Sequence, residues 1–163
     1  MSAIEATLRH NDVYASRFEG GGLSAPPARR LAVVTCMDAR LMPSDFLGLE
    51  SGDAHVIRNA GGVVTDDVIR SLAISQAALG TREIMVVQHT ACGMLAPDDD
   101  DLADTIEAAA GHRPEMPLGT FAELDASVRS SLIRLRASSL LAHRDGVRGF
   151  VYDVETARLR EVA

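Results

Sequence analysis

Apolar residues in this chain fall into two kinds of run. Leu31 to Cys36 (LAVVTC) and Glu83 to His89 (EIMVVQH) are nearly continuous, the pattern of strands buried on both faces. Ala54 to Arg58 (AHVIR) and Arg148 to Val154 (RGFVYDV) are further strand candidates, and a short piece near Leu159 could pair back as a hairpin. Between these runs the apolar positions recur at helical spacing. Over residues 66–79 the positions Val68, Ile69, Leu72, Ala73, Gln76 and Leu79 share one face. Thr65 supplies an N-cap there, Asp66 and Asp67 match the positive end of the dipole, and Gly80 stops the helix. A second helix is expected to start at Thr120, where Thr120 and Glu123 make a capping box and Phe121, Leu124, Val128, Leu132 and Leu135 form the stripe. Residues 1–19 read as a weakly amphipathic helix carrying Ile4, Leu8 and Phe18, followed by a breaker segment with Gly20, Gly21, Gly22, Pro26 and Pro27.

Strand runs that alternate with helical patterns predict an α/β fold, a parallel sheet covered by helices on both faces. The length of 163 residues suits a single domain spanning 1–163, with no internal repeat. Hydrophobic residues at 47% and charged residues at 24% are ordinary for a globular chain, so composition alone points to no special class. Charge changes the picture more: a net −7 argues against a nucleic-acid partner, which needs clustered Lys and Arg. The first twenty residues contain no apolar signal core and no run is long enough to cross a bilayer, which predicts a cytoplasmic protein with no membrane partner.

The two cysteines, Cys36 and Cys92, allow three readings: one disulfide in an oxidising compartment, two buried structural thiols, or metal ligands. Their neighbours favour the last. Cys36-Met37-Asp38-Ala39-Arg40 and His89-Thr90-Ala91-Cys92-Gly93 each begin where an apolar strand ends, and ligands of α/β sheets bind just outside the carboxyl ends of the strands. Two thiolates and an imidazole form a common zinc set that leaves a fourth tetrahedral position. His89 and Cys92 are close enough in a turn to chelate one ion together, with Cys36 arriving from the neighbouring strand. Asp38 can ligate the metal as a conditional fourth ligand or accept a hydrogen bond from a group bound there. Arg40 can hold that carboxylate off the metal through a bidentate pair.

Taken together, CxDxR and HxxCG strongly resemble the signature of the β-class carbonic anhydrases, and Arg58-Asn59-Ala60-Gly61 resembles the RNAG segment of that family. The likeness runs from about Leu31 to Gly93 and more loosely to the C-terminus. It implies a four-stranded parallel sheet with a short extra edge strand, one zinc per chain on Cys36, His89 and Cys92, and Asp38 with Arg40 as a catalytic gating dyad. It also implies reversible hydration of carbon dioxide to bicarbonate and a proton by zinc-bound hydroxide. The assembly it implies is a homodimer, or a tetramer built from it, with residues 1–19 packed on the partner. Hydrolysis of carbonyl sulfide or carbon disulfide is the alternative on the same scaffold; a zinc-binding protein without turnover is the third reading. Where the plant-like subclass has a substrate-binding glutamine this chain has Pro27, and where the bicarbonate-inhibited subclass has a tryptophan it has Val33. Ala91 and Gly62 also depart from common family residues, an acid and an asparagine.

Other residues have plain readings. His55, inside a strand, is expected to be a satisfied structural histidine, while His10, His112 and His143 fall on surfaces where any one could shuttle protons. Asp98 to Asp101 reads as the solvated start of a helix, and Asp53 either orients Arg58 or shapes a turn.

Overall fold

The two continuous apolar runs lie at the centre of a five-stranded sheet. The computed structural model describes residues 1–96 and 98–163. In it, β1 (Leu31–Cys36), β2 (Ala54–Asn59), β3 (Glu83–His89), β4 (Val147–Tyr152) and β5 (Leu159–Val162) stand in the order β2-β1-β3-β4-β5. The first four are parallel, and β5 returns antiparallel along β4. Flanked on both sides, β1 and β3 bury Val33, Val34, Val86 and Val87 completely, which is why their sequences carry little polarity. β2 has a neighbour on one side only, and its sequence is correspondingly weaker.

The helices are α1 (Ala3–Ala15), α2 (Pro43–Leu47), α3 (Asp66–Leu79), α4 (Asp100–Ala110) and α5 (Leu124–Ala137). α3 has the limits its pattern predicts: the Thr65 hydroxyl accepts from Val68 N–H, and Gly80 closes the helix at φ 75°. Val68 and Leu72 of α3 join Val128, Leu132 and Leu135 of α5 over Val34, Ile84, Val86 and Val151 on one sheet face. Phe46 and Leu47 of α2 pack on the other face around Val33, Leu41, Val87 and Tyr152, where the Phe46 and Tyr152 rings stack with centroids 4.4 Å apart.

Several boundaries differ from the sequence reading, three of them with a consequence for the fold. α5 begins at Leu124, because Thr120 is engaged elsewhere: its N–H and hydroxyl donate to Asp99 at 2.9 and 2.6 Å, and Leu118 N–H donates at 2.7 Å. Phe121 therefore leaves the helix stripe and joins the cluster around Cys36. Asp99 is thus a latch rather than a solvated terminus, and the Thr120 hydroxyl and N–H hold its carboxyl down at about 2. β4 ends at Tyr152, since the Asp153 carboxylate turns the chain by accepting from Glu155 and Thr156 N–H. α1 stops at Ala15, well short of residue 19.

α1 is fully capped at its N-terminus. Ser2 and Glu5 form a complete capping box, yet every residue from Met1 to Glu19 is exposed, including Ile4, Leu8 and Phe18. Among the described residues, no helix is long and apolar enough to cross a membrane.

Candidate metal centre

Parallel pairing of β1 with β3 sets Thr35 beside Val87, so both strands deliver their next residues to the same end of the sheet. Cys36 closes β1 and His89 closes β3, and the turn after His89 brings in Cys92. The two sulfurs lie 4.0 Å apart, and one ligand atom from each of the three residues falls within 4.8 Å of the others. Sulfurs bound tetrahedrally at about 2.3 Å from one zinc would stand about 3.8 Å apart, so the spacing fits with little adjustment. All three residues are buried.

Protonation chemistry points the same way. His89 Nδ1–H donates to the Thr90 carbonyl at 2.8 Å, which leaves Nε2 as the free lone pair. Nε2 is buried and finds no hydrogen-bond partner among the described residues. Burial, with the charge of neighbouring Cys36 adding to it, pushes the Cys92 thiol up to about 11 in the metal-free chain. A buried orphan nitrogen beside two buried thiols, one of which (Cys92) resists ionisation without a cation, is a donor set suited to zinc.

Beside this group stands Asp38. Arg40 donates to it three times: Nε to Oδ1 at 2.9 Å, a terminal guanidinium nitrogen to Oδ2 at 2.7 Å, and the backbone N–H to Oδ1 at 2.9 Å. These bonds hold the Asp38 carboxyl well below the usual carboxylate range. The guanidinium also donates to the Ala91 carbonyl at 2.9 Å, tying the Cys36 segment to the Cys92 turn. Asp38 Oδ2 lies 3.7 Å from His89 Nε2, close to the three donors yet beyond a direct hydrogen bond. Ala91 itself adopts φ 51°, a left-handed turn position.

The five residues singled out at the strand ends therefore come together. Two contributors escaped the sequence reading. Arg58 is given no role at the site there, but its guanidinium donates to the carbonyls of Cys36 and Asp38. Thr90 accepts from His89 through its carbonyl and anchors Val154 N–H through its hydroxyl; a polar residue directly after the ligand was the available signal. Asp53 does not orient Arg58: it accepts from Glu50 N–H and pairs with Arg29, the turn role. His55 is satisfied by the Ser75 hydroxyl at 2.7 Å, while His10, His112 and His143 are exposed.

A family model described as carbonic anhydrase matches residues 31–159. β-Carbonic anhydrase 1 of Mycobacterium tuberculosis is 48% identical over 162 residues, covering 99% of each chain. A carbon disulfide hydrolase of an Acidianus species is 35% identical, covering 97% of this chain and 88% of its own. Among solved structures, a carbonic anhydrase from Streptococcus mutans superposes with a TM-score of 0.94 at 39% identity, covering 100% of this chain and 99% of that one.

Proposed function

This chain belongs to the β-carbonic anhydrase family, and from that premise we propose that it catalyses the reversible hydration of carbon dioxide to bicarbonate and a proton. The observation that carries the reading is the buried Cys36, His89 and Cys92 group with the Asp38–Arg40 pair at its edge. Cys36, His89 and Cys92 would hold the zinc, one ion per chain. When bound, zinc supplies acidification of a water, so that a hydroxide nucleophile is available near neutral pH.

The chain's own residues do the rest. Two thiolates cancel the charge of the ion, and the Thr90 carbonyl fixes the His89 ring with Nε2 as the ligating nitrogen. Arg40 occupies both oxygens of Asp38, which supports a carboxylate kept off the metal and a fourth position left open. Asp38 stays ionised in that pair and serves as hydrogen-bond acceptor for the attacking oxygen, orienting its lone pair toward the substrate carbon. Met94, Phe121, Leu41 and Val87 belong to the same apolar cluster as Cys36 and Cys92, an environment suited to a small, linear, uncharged substrate.

The carbon disulfide hydrolase relatives give the second reading its specific support, since one matches nearly the whole chain. The closer likeness to a β-carbonic anhydrase favours carbon dioxide. Stopped-flow comparison of kcat/KM for carbon dioxide, carbonyl sulfide and carbon disulfide at one pH tests this directly. Carbon dioxide should lead; a sulfur substrate in front overturns the assignment of substrate.

The same proposal treats residues 1–163 as one domain whose helix α1 packs on a second copy in a homodimer. The support is an intact capping box on a helix whose residues are all exposed, including Ile4 and Leu8. Two free cysteines that must stay reduced to bind metal support a cytoplasmic location.

A further inference from the structure

We propose that Arg58 is a positioning residue for this site, holding the segment that carries Cys36 and Asp38 at a fixed place from the end of strand β2. The inference rests on the roles proposed above for those two residues. Arg58 Nε donates to the Cys36 carbonyl at 2.9 Å, and a terminal nitrogen of the same guanidinium donates to the Asp38 carbonyl at 2.8 Å. Between them, Met37 N–H donates to the Asn59 carbonyl at 2.8 Å. Three successive residues beyond the last β1–β3 pair are therefore tied to two successive residues of β2.

The turn after β2 closes the clamp from the other side. The Asn59 side chain accepts from Val63 N–H at 3.0 Å and donates to the Val63 carbonyl at 2.8 Å, locking the turn that contains Gly62. Gly62 adopts φ 61° and lies so close to the segment that a Cβ there would stand 2.8 Å from Cys36 N and 2.9 Å from Thr35 C. The turn thus bears directly on the backbone of the first thiol.

Arg58 touches neither sulfur nor carboxylate; it acts through the backbone. Arg40 reaches Asp38 from two residues away and ties the segment to the Ala91 carbonyl on the β3 side. Arg58 supplies a second reference, from β2 on the opposite side of β1. A planar fork with two parallel donors reaches both carbonyls, whereas an ammonium on a flexible stem reaches one well.

The test uses holoenzyme carrying Arg58→Ala or Arg58→Lys, loaded with zinc for kinetics and with cobalt for visible absorption. Arg58→Ala should keep its zinc and thermal midpoint, lose about 10- to 100-fold in kcat with little change in KM, and shift the cobalt spectrum as Asp38 relaxes toward the metal. Arg58→Lys should fall between it and wild type on both readouts. Wild-type kcat together with an unchanged cobalt spectrum in Arg58→Ala overturns the proposal. So does a parallel loss of metal and thermal stability with kcat per bound zinc intact, since that is the mark of a merely structural residue. If Arg58→Ala does not fold, Arg58→Lys decides by the same two measurements. A wild-type protein without activity on carbon dioxide would sink the functional reading instead, while the cobalt spectra would still report on the clamp.

Discussion

The strand-end site and the N-terminal helix satisfy local rules equally well and end in opposite conditions. At the site, Cys36, His89 and Cys92 are buried, and Asp38, Arg40 and Arg58 are bonded across 51 and 22 residues of sequence as well as locally. In α1, Ser2 and Glu5 cap each other perfectly well, yet Ile4, Leu8 and Phe18 remain in solvent. Capping and periodicity suffice to form a helix but not to place it. The sheet places its residues by register, and among the described residues α1 has no such reference. This is why we propose that α1 packs on a partner.

The largest expected effect breaks the site side of the comparison. Cys92→Ser removes a ligand, so elemental analysis should find little zinc and carbon dioxide hydration should fall to the uncatalysed background. Apparent stability should fall too, because metal binding is coupled to folding. In the wild-type chain, a Cys92 thiol near 11 must release its proton on zinc uptake. Apparent zinc affinity should therefore weaken as pH falls below that value, about tenfold per unit for each proton released. Zinc uptake that ignores pH would remove the thiolate from the account.

Next comes the core against the arm. Leu72 is fully buried between α3 and the sheet, and Leu72→Ala should cost about 2–5 kcal/mol in denaturant unfolding. Deleting residues 1–19 should leave the sheet's unfolding largely unchanged while sedimentation shows a smaller particle. A truncated chain with unaltered mass and full activity would break the comparison at its weaker end.

Arg40→Ala sharpens the site itself. Freed of its three bonds from Arg40, Asp38 can turn to the metal, and turnover should drop by about 10- to 100-fold across the pH range. Normal turnover near neutrality in that variant would show that Arg40 does not govern Asp38.

How much of this was legible depends on what each residue answers to. β1, β3 and α3 have the limits read from their patterns, because burial on both faces and a capped amphipathic stripe leave strong local traces. Cys36, Asp38, Arg40, His89 and Cys92 were visible because chemistry needs those residue types at strand ends. Thr120 misled for a physical reason. Its hydroxyl matches a capping box locally, but Asp99, 21 residues away, competes for it and wins with a 2.6 Å bond. Arg58 left no trace of its role, since a side chain that serves backbone carbonyls carries no pattern of its own. α2 went unread as well, being only 5 residues long.

The smallest expected effect concerns that same latch. A carboxyl held near 2 when folded, against about 3.9 when unfolded, adds stability that is complete above about pH 4 and fades as pH falls toward 2. Asp99→Asn should lower the thermal midpoint modestly at neutral pH and flatten its decline between pH 4 and pH 2. An unchanged acid profile would mean that the Leu118–Thr120 loop holds without the charge.

The most direct test of the central claim is X-ray absorption at the zinc edge of protein purified without chelators. Two sulfur scatterers at about 2.3 Å with lighter scatterers at about 2.0–2.1 Å are expected, from Cys36 and Cys92 and from His89 with one further ligand. A zinc environment with one sulfur or none would contradict the site assembled here from the ends of β1 and β3.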